Sequence, residues 1–303
     1  MQIIAGTTDF KILQPTAVAI GKFDGLHRGH RELLKLVLEK KKAGLLTTIF
    51  TFDPPPEVFF GKRQPKEITT RAEKRIVFEK MGVDILIEFP LDEISAALPA
   101  EDFVKNVLKD KMNISYLAAG YDLSFGHKGA GNAELLKRMA PKLNFELSII
   151  EKVCENGREI SSTYVREEVE IGAMNHVTEL LGEPYMIIGE VVHGAKLGRK
   201  IGMPTINLLP EKEKMLPPNG VYYSRTQIGE KEYKSITNIG KKPTVSNIEQ
   251  IGVETYLYEF DQDVYGKNAI VKLLEFKRPE RKFADLDELK AQMIRDVNEG
   301  REF

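Results

Sequence analysis

Cysteine is nearly absent from this 303-residue chain. Cys154 stands alone, so neither an internal disulfide nor a Cys/His zinc cluster can be built. On its own it reads as a small, partly buried hydrophobe. An excess of one charge is missing too: 44 Lys and Arg stand against 45 Asp and Glu. A cut after Glu183 leaves each half close to neutral, so neither hides a basic module for nucleic acid or an anionic membrane. No run approaches the ~20 apolar residues that a bilayer span needs. Met1 to Phe10 lacks a basic segment followed by an apolar one, which marks no export and leads to the expectation of a cytoplasmic protein. The Gly-x-x-x-x-Gly-Lys-Ser/Thr signature is also missing, which excludes a P-loop kinase.

What is present is the composition of a folded protein. Hydrophobic residues make up 42% and charged residues 29%, enough for real cores and a solvated surface. At roughly 150 residues per domain the length suits two domains. From Ala17 to about Gly182, apolar runs alternate with helical patterns. Strands are predicted over residues 17–20, 45–52, 84–89 and 114–119. Helices are predicted over 31–42, ending at Gly44, from the capping-box spacing of Thr70 and Glu73 to Gly82, and near 101–111. That alternation implies right-handed crossovers and a doubly wound parallel sheet, which binds ligands at the carboxyl ends of its strands.

After Gly182-Glu183-Pro184 the rhythm changes. Six strand-like stretches, over 185–192, 205–208, 221–227, 233–238, 253–260 and 269–276, are separated by turns rich in Gly, Pro, Asn and Lys. Only the tail is plainly helical, with Leu286, Leu289, Met293 and Val297 on one stripe. The expected architecture is an α/β domain over 1–183 followed by a small antiparallel β-barrel with a C-terminal helix over 184–303.

The segment Gly21-Lys22-Phe23-Asp24-Gly25-Leu26-His27-Arg28-Gly29-His30 lies directly after a strand and before a helix. Two of the chain's five histidines fall in it, three apart, with glycines at 21, 25 and 29. Amides at a helix start can meet a triphosphate, and glycine lets the chain come close to it. Histidines there can donate to oxygens that gain charge as an α-phosphate is attacked, which is electrostatic catalysis with no covalent step. A surface turn with two solvated histidines is the bland alternative.

The decamer resembles the Gly-x-Phe-Asp-Gly-x-His-x-Gly-His block of prokaryotic FAD synthetases, which are nucleotidylyltransferases of the His-x-Gly-His type. Further blocks match in order: Thr51-Phe52-Asp53-Pro54, then Gly120-Tyr121-Asp122-Leu123-Ser124-Phe125-Gly126, then Ile160-Ser161-Ser162-Thr163-Tyr164-Val165-Arg166. The resemblance implies a Rossmann-like domain in which Gly21, Phe23, Asp24, Gly25, His27 and His30 meet ATP. It also implies a phosphate clamp of Ser162, Thr163 and Arg166, with flavin or nucleotide contacts from Asp53, Asp122 and Phe125. Catalytic roles fall to His27, His30 and Arg166. Two positions depart from the pattern: Pro55 stands where many relatives have histidine, and Leu123 replaces an aromatic.

The second half resembles the riboflavin kinase module in four blocks: Gly189 to Leu208, Asn238-Ile239-Gly240-Lys241-Lys242-Pro243-Thr244, Val253-Glu254-Thr255-Tyr256-Leu257, and Arg278-Pro279-Glu280-Arg281-Lys282-Phe283. In this reading the loop from Gly194 to Gly202, with Lys196, Gly198 and Arg199, cradles ATP phosphates together with Thr205. Thr205 and Asn207, two apart on a strand, present oxygens on one face, as a hard Mg²⁺ ion requires. By resemblance Glu254 is the general base, and Asn238, Glu254 and Arg278 contact the flavin.

Both resemblances together imply ATP- and Mg²⁺-dependent phosphorylation of riboflavin to FMN in the second half, and adenylylation of FMN to FAD, with release of pyrophosphate, in the first. The partners expected are small molecules only, with no nucleic acid and no membrane, in a monomer or weak homo-oligomer. Two other readings stay open: a nucleotidylyltransferase with another phosphorylated acceptor, and a flavin-binding regulator, against which the near-neutral charge argues.

Overall fold

The computed structural model describes residues 1–61, 66–194, 198, 202–242 and 250–303. It divides into two compact units, the first of residues 1–65 and 71–161, the second of 66–70 and 162–303. Lys196 and Arg199 lie outside the described residues, as do Pro243 and Thr244.

In chain order the first unit comprises β1 (Gln2–Ala5), β2 (Thr16–Ile20), α1 (Arg28–Glu39), β3 (Leu46–Asp53), α2 (Arg71–Lys80), β4 (Ile85–Pro90), β5 (Ile114–Gly120), α3 (Ala133–Leu143) and β6 (Glu146–Ile150), then a small ribbon of β7 (Cys154–Glu155) and β8 (Arg158–Glu159). Six strands form one sheet in the order β1-β4-β3-β2-β5-β6, every neighbour parallel. β2 is buried throughout, as the central strand of a sheet covered on both faces must be. On one face Val18, Ile20, Ile87 and Leu117 join a core with Phe103 and Leu136. The residues of opposite parity, Ala17, Ala19, Ile49 and Ala118, are fully buried on the other face, where α1 packs with Leu33, Leu34 and Val37. The sheet is therefore doubly wound, as the alternation of patterns predicts. From β2 the chain goes to β3 on one side and later to β5 on the other, and this reversal opens a crevice at the carboxyl ends.

Several details depart from the sequence expectations. β1, β6 and α3 are additional elements. β1 is a half-exposed edge and β6 a partly buried one, so neither carries the continuous apolar run that marks the central strands. The helix expected near 101–111 is a short α turn, Ala100–Asp102, that continues as a π-helix, Phe103–Lys111.

The second unit contains α4 (Ser162–Ile171), α5 (Met174–Leu181), β9 (Tyr185–Val192), β10 (Thr205–Leu209), β11 (Gly220–Ile228), β12 (Lys231–Lys242), β13 (Gln250–Leu257), β14 (Asn268–Pro279) and α6 (Leu286–Glu299). The six strands close into an antiparallel barrel in the order β10-β13-β12-β11-β14-β9, with β9 pairing back to β10. The predicted strand over 253–260 stops at Leu257, because Glu259 takes a left-handed backbone (φ 53°) that turns the chain. α6 begins on an Asp285 cap, whose side chain accepts from the Glu288 amide at 2.8 Å. Leu289, Met293 and Val297 pack against Val221, Tyr223 and Ile236 of the barrel, whereas Leu286, the first residue of the helix, is half exposed and leaves the stripe.

The units part at Ser161/Ser162, ahead of the change of pattern at Glu183. α5 buries Met174, Val177, Leu180 and Leu181 and packs on β9 and β14. Its apolar stripe reads the same whichever sheet it covers, so sequence periodicity cannot assign it. Among the described residues, no helix is long and apolar enough to cross a membrane.

α6 is further tied to the barrel by a buried ion pair. Arg278 donates to Asp296 through Nε (3.2 and 3.1 Å) and Nη2 (2.6 Å), and Asp296 is 3% exposed. Removing one partner strands the other charge in a dry setting. Asp296→Ala is expected to lower the unfolding free energy of the second unit by about 3 kcal/mol in urea, and Arg278→Met/Asp296→Met by less. Equal losses in both would contradict this account.

Two candidate active sites

The first site grows from the loop after β2. Phe23 and Leu26 take left-handed backbone conformations (φ 52° and 47°), which a bulky residue adopts only at a cost of order 1–2 kcal/mol. Packing holds them there: Phe23 is fully buried, edge-on to Phe78 of α2 at 5.7 Å and 5.2 Å from the His30 ring. His27 sits at the N-cap of α1 without capping it, and its ring stacks on His30 at 3.8 Å with 25° between planes. A Cβ at Gly29 would lie 3.2 Å from His27 Nδ1, so the glycine between the histidines leaves room for the stack.

Burial sets the electrostatics of the pair. His27 is pushed down to about 4, its desolvation outweighing the opposing fields of Asp24, Asp122 and Glu159. His30 is held well below the usual histidine range by burial first, then by His27 and Lys74. Both rings are neutral at pH 7, each with one N–H to donate. Both Nδ1 atoms are buried without a hydrogen-bond partner, an expensive state unless something else supplies one.

The other first-unit blocks end on the same carboxyl edge. Asp53 closes β3 and accepts from Arg71 at 2.6 Å. Asp122 follows β5, with Lys152 at 3.6 Å and Lys152 in turn 2.6 Å from Glu159. Phe125 is only 4% exposed, packed 5.4 Å from Phe103, so it supports the crevice from within the core. Leu123 joins the same core as a partly buried residue, and Pro55 precedes the short helix Pro56–Phe59. Sequence reading missed Arg71, Arg75 and Glu88. Glu88 is buried on β4 and receives Arg75 at 2.9 and 2.5 Å. An isolated Glu in an apolar strand, with two arginines spaced four apart on the next-door helix, is the signal that could have exposed them.

Ser162, Thr163 and Arg166 belong to the second unit. Ser162 and Thr163 open α4, and Arg166 donates to the Lys66 carbonyl and lies 3.8 Å from Met215 Sδ.

On the barrel the register gathers the kinase candidates in one row. Asn207 pairs with Glu254, Glu254 with Asn238, Asn238 with Val221, and Val221 with Arg278. Opposed residues of antiparallel neighbours share a face, here the outer one that α6 partly covers. Thr205 Oγ1 donates to Glu254 Oε1 at 2.5 Å. Asn207 is 5% exposed, and a Cβ at Gly194 would lie 2.8 Å from its Oδ1, so the start of the loop passes directly over that amide. Gly198 accepts from the Met203 amide at 2.8 Å, and Gly202 turns with φ 80°. Asn238 donates to Glu280 at 3.3 Å, and Arg278 holds Asp296, so these two flavin candidates rest on carboxylates to which the sequence assigns no role. Thr205 and Asn207 offer hard oxygen donors of the kind that suits Mg²⁺, with the Glu254 carboxylate beside Thr205.

Two family models match the chain, one after the other. The FAD synthetase family model matches residues 9–164 and the riboflavin kinase model residues 181–303. The bifunctional riboflavin kinase/FMN adenylyltransferase of Escherichia coli K12 is 38% identical over 94% of this chain and 92% of its own length. The Haemophilus influenzae protein of the same name is 33% identical over 100% and 99%. The crystal structure of a Streptococcus pneumoniae protein named as a macrolide-efflux protein superposes with a TM-score of 0.86 at 30% identity, covering 99% of this chain and 98% of that one. The chain belongs to the family of bifunctional riboflavin kinases/FMN adenylyltransferases, a kinase and a nucleotidyltransferase in one polypeptide.

Proposed function

We propose that this chain converts riboflavin to FMN on its barrel and FMN to FAD on its parallel-sheet unit, with the functional division near residue 183. The observation that carries the adenylyl-transfer half is the stacked, neutral His27–His30 pair with both Nδ1 atoms buried and unpartnered at the carboxyl edge of a parallel sheet. In that reaction an oxygen of the FMN phosphate attacks the α-phosphorus of ATP. The bond to the β-phosphate breaks, and pyrophosphate leaves. Neutral imidazoles donate to the α-phosphate oxygens as charge builds on them, with no reorientation at the moment of reaction. Asp24 and the glycine-rich backbone bind ATP beside them, and Asp53 and Asp122 face the acceptor.

On the barrel, the ribityl 5′-hydroxyl oxygen attacks the γ-phosphorus, the γ–β anhydride bond breaks, and ADP leaves. Glu254 takes the hydroxyl proton, and its bond from Thr205 fixes the carboxylate that does so. Thr205 and Asn207 would hold Mg²⁺, which supplies charge neutralisation on the ATP phosphates. Lys196, Gly198 and Arg199 cradle the phosphates, and Asn238 and Arg278 line the flavin side. The ligands are small molecules, and the chain acts in the cytoplasm as a monomer or weak homo-oligomer.

His30→Ala is expected to cut FAD formation from FMN by roughly 10²–10³ in kcat while leaving FMN formation within about threefold. Glu254→Gln is expected to do the reverse, with a loss of roughly 10²–10⁴ in phosphorylation. Loss of both activities from either change in a folded protein would contradict one reaction per unit.

The histidine pair also sets a pH dependence. Below pH ~6.5 the unfolded chain protonates His27 and the folded chain does not, so stability present above that pH is lost as pH falls toward 4, about 3 kcal/mol from this group in all. His30 acts in the same direction. In the ligand-free protein the imidazole resonances of both residues should stay at their neutral positions from pH 8 to 5 by NMR. A midpoint near 6.5 for either would contradict the buried, neutral pair.

A further inference from the structure

The acceptor in adenylyl transfer is a phosphate monoester, a dianion near neutral pH. Yet the residues so far placed on its side, Asp53, Asp122 and Phe125, offer two negative charges and a buried ring. Carboxylates alone repel such a group, so a cation must face it. Arg71, the first residue of α2, fits that need. Its Nη1 donates to Asp53 Oδ2 at 2.6 Å and its Nε lies 3.0 Å from Glu88 Oε2. Adjacent parallel strands set these two carboxylates side by side, since Thr51 is in register with Glu88 and Asp53 with Pro90. Glu88 is already neutralised by Arg75, which grips both of its oxygens. Arg71 therefore brings a second positive charge to a carboxylate that has one.

The guanidinium is also available. Its side chain is 49% exposed, and Nη2 has no partner among the described residues. Two anchors on Nε and Nη1 fix the plane of the group, which cuts the entropy lost when the remaining N–H donors meet a phosphate. The other cations of this edge lack that arrangement. Lys22 and Arg28 are each tethered to one carboxylate, Glu57 and Glu155, and Lys152 lies between Asp122 and Glu159 with an ammonium in place of a planar fork.

We propose that Arg71 binds the phosphate of the flavin acceptor, with Asp53 and Glu88 as the positioning carboxylates that aim it. Arg71 thereby makes the site select a phosphorylated flavin over riboflavin. This inference rests on the adenylyl-transfer reading of the first unit.

The test measures FMN-to-FAD kinetics in full-length Arg71→Met and Arg71→Lys proteins, with riboflavin phosphorylation in the same samples as an internal reference. Arg71→Met should raise KM for FMN roughly 10- to 100-fold, the range for a lost charge-assisted contact. KM for ATP and the kinase rate should stay within about threefold. Arg71→Lys keeps the charge without the fork and should raise KM for FMN less, by at least about threefold, and it serves the test if the Met variant does not fold. An unchanged KM for FMN in either soluble variant overturns the assignment. So does a fall in kcat alone, which would make Arg71 a brace for Asp53. Absence of FAD formation by the unaltered protein is a different outcome, because it overturns the adenylyl-transfer reading itself.

Discussion

Dehydration of the His27–His30 stack is the constraint round which the first unit is arranged. Two imidazoles in van der Waals contact resist being charged together, and burial, with Phe23 packed against His30, holds both neutral. To keep that burial the loop accepts left-handed backbone at Phe23 and Leu26, and α2 lends Phe78 as the surface on which Phe23 rests. Strain at the loop is thus balanced by core packing a few ångströms away, and the loop is preorganised before a ligand arrives. The unpartnered Nδ1 atoms are the remaining cost, and a bound nucleotide is what can relieve it.

The barrel meets a different requirement by register. Closure through β9 and β10 fixes which residues stand opposite one another all the way round. One row then carries Asn207, Glu254, Asn238 and Arg278, contributed by four strands far apart in the chain. Slipping any strand by one residue would turn its member of the row into the barrel interior. The interior is equally specified: Ser224, Thr226, Ser235, Thr237 and Thr255 form a buried chain of hydroxyl hydrogen bonds of 2.8–2.9 Å. Those hydroxyls satisfy one another, so a polar string inside the barrel carries no unpaired group.

Much of this was legible in the sequence because its signals are local. Strand rhythm, the Gly21 to His30 turn and the helix stripe of Leu289, Met293 and Val297 each lie within a dozen residues, and each is where the pattern puts it. What was illegible is tertiary. Glu88 looks like an ordinary residue of an apolar strand until α2 brings Arg71 and Arg75 over it. Arg278 reads as a ligand contact by resemblance, and the structure adds its buried anchor on α6. Phe125 is a flavin or nucleotide contact by resemblance, and the structure adds that its ring packs into the Phe103 core. The division of the chain at Ser162 was invisible because an amphipathic helix does not say which sheet it will cover.

Two nearly neutral halves, each with a few local cations and hard oxygen donors, suit small phosphorylated ligands held by particular side chains. The central claim is that both flavin reactions reside in this one chain. Its most direct test is a time course of purified protein with riboflavin, ATP and MgCl₂, the flavins separated at each point. The account predicts that FMN rises first and then gives way to FAD. A mixture that still contains only riboflavin would contradict it.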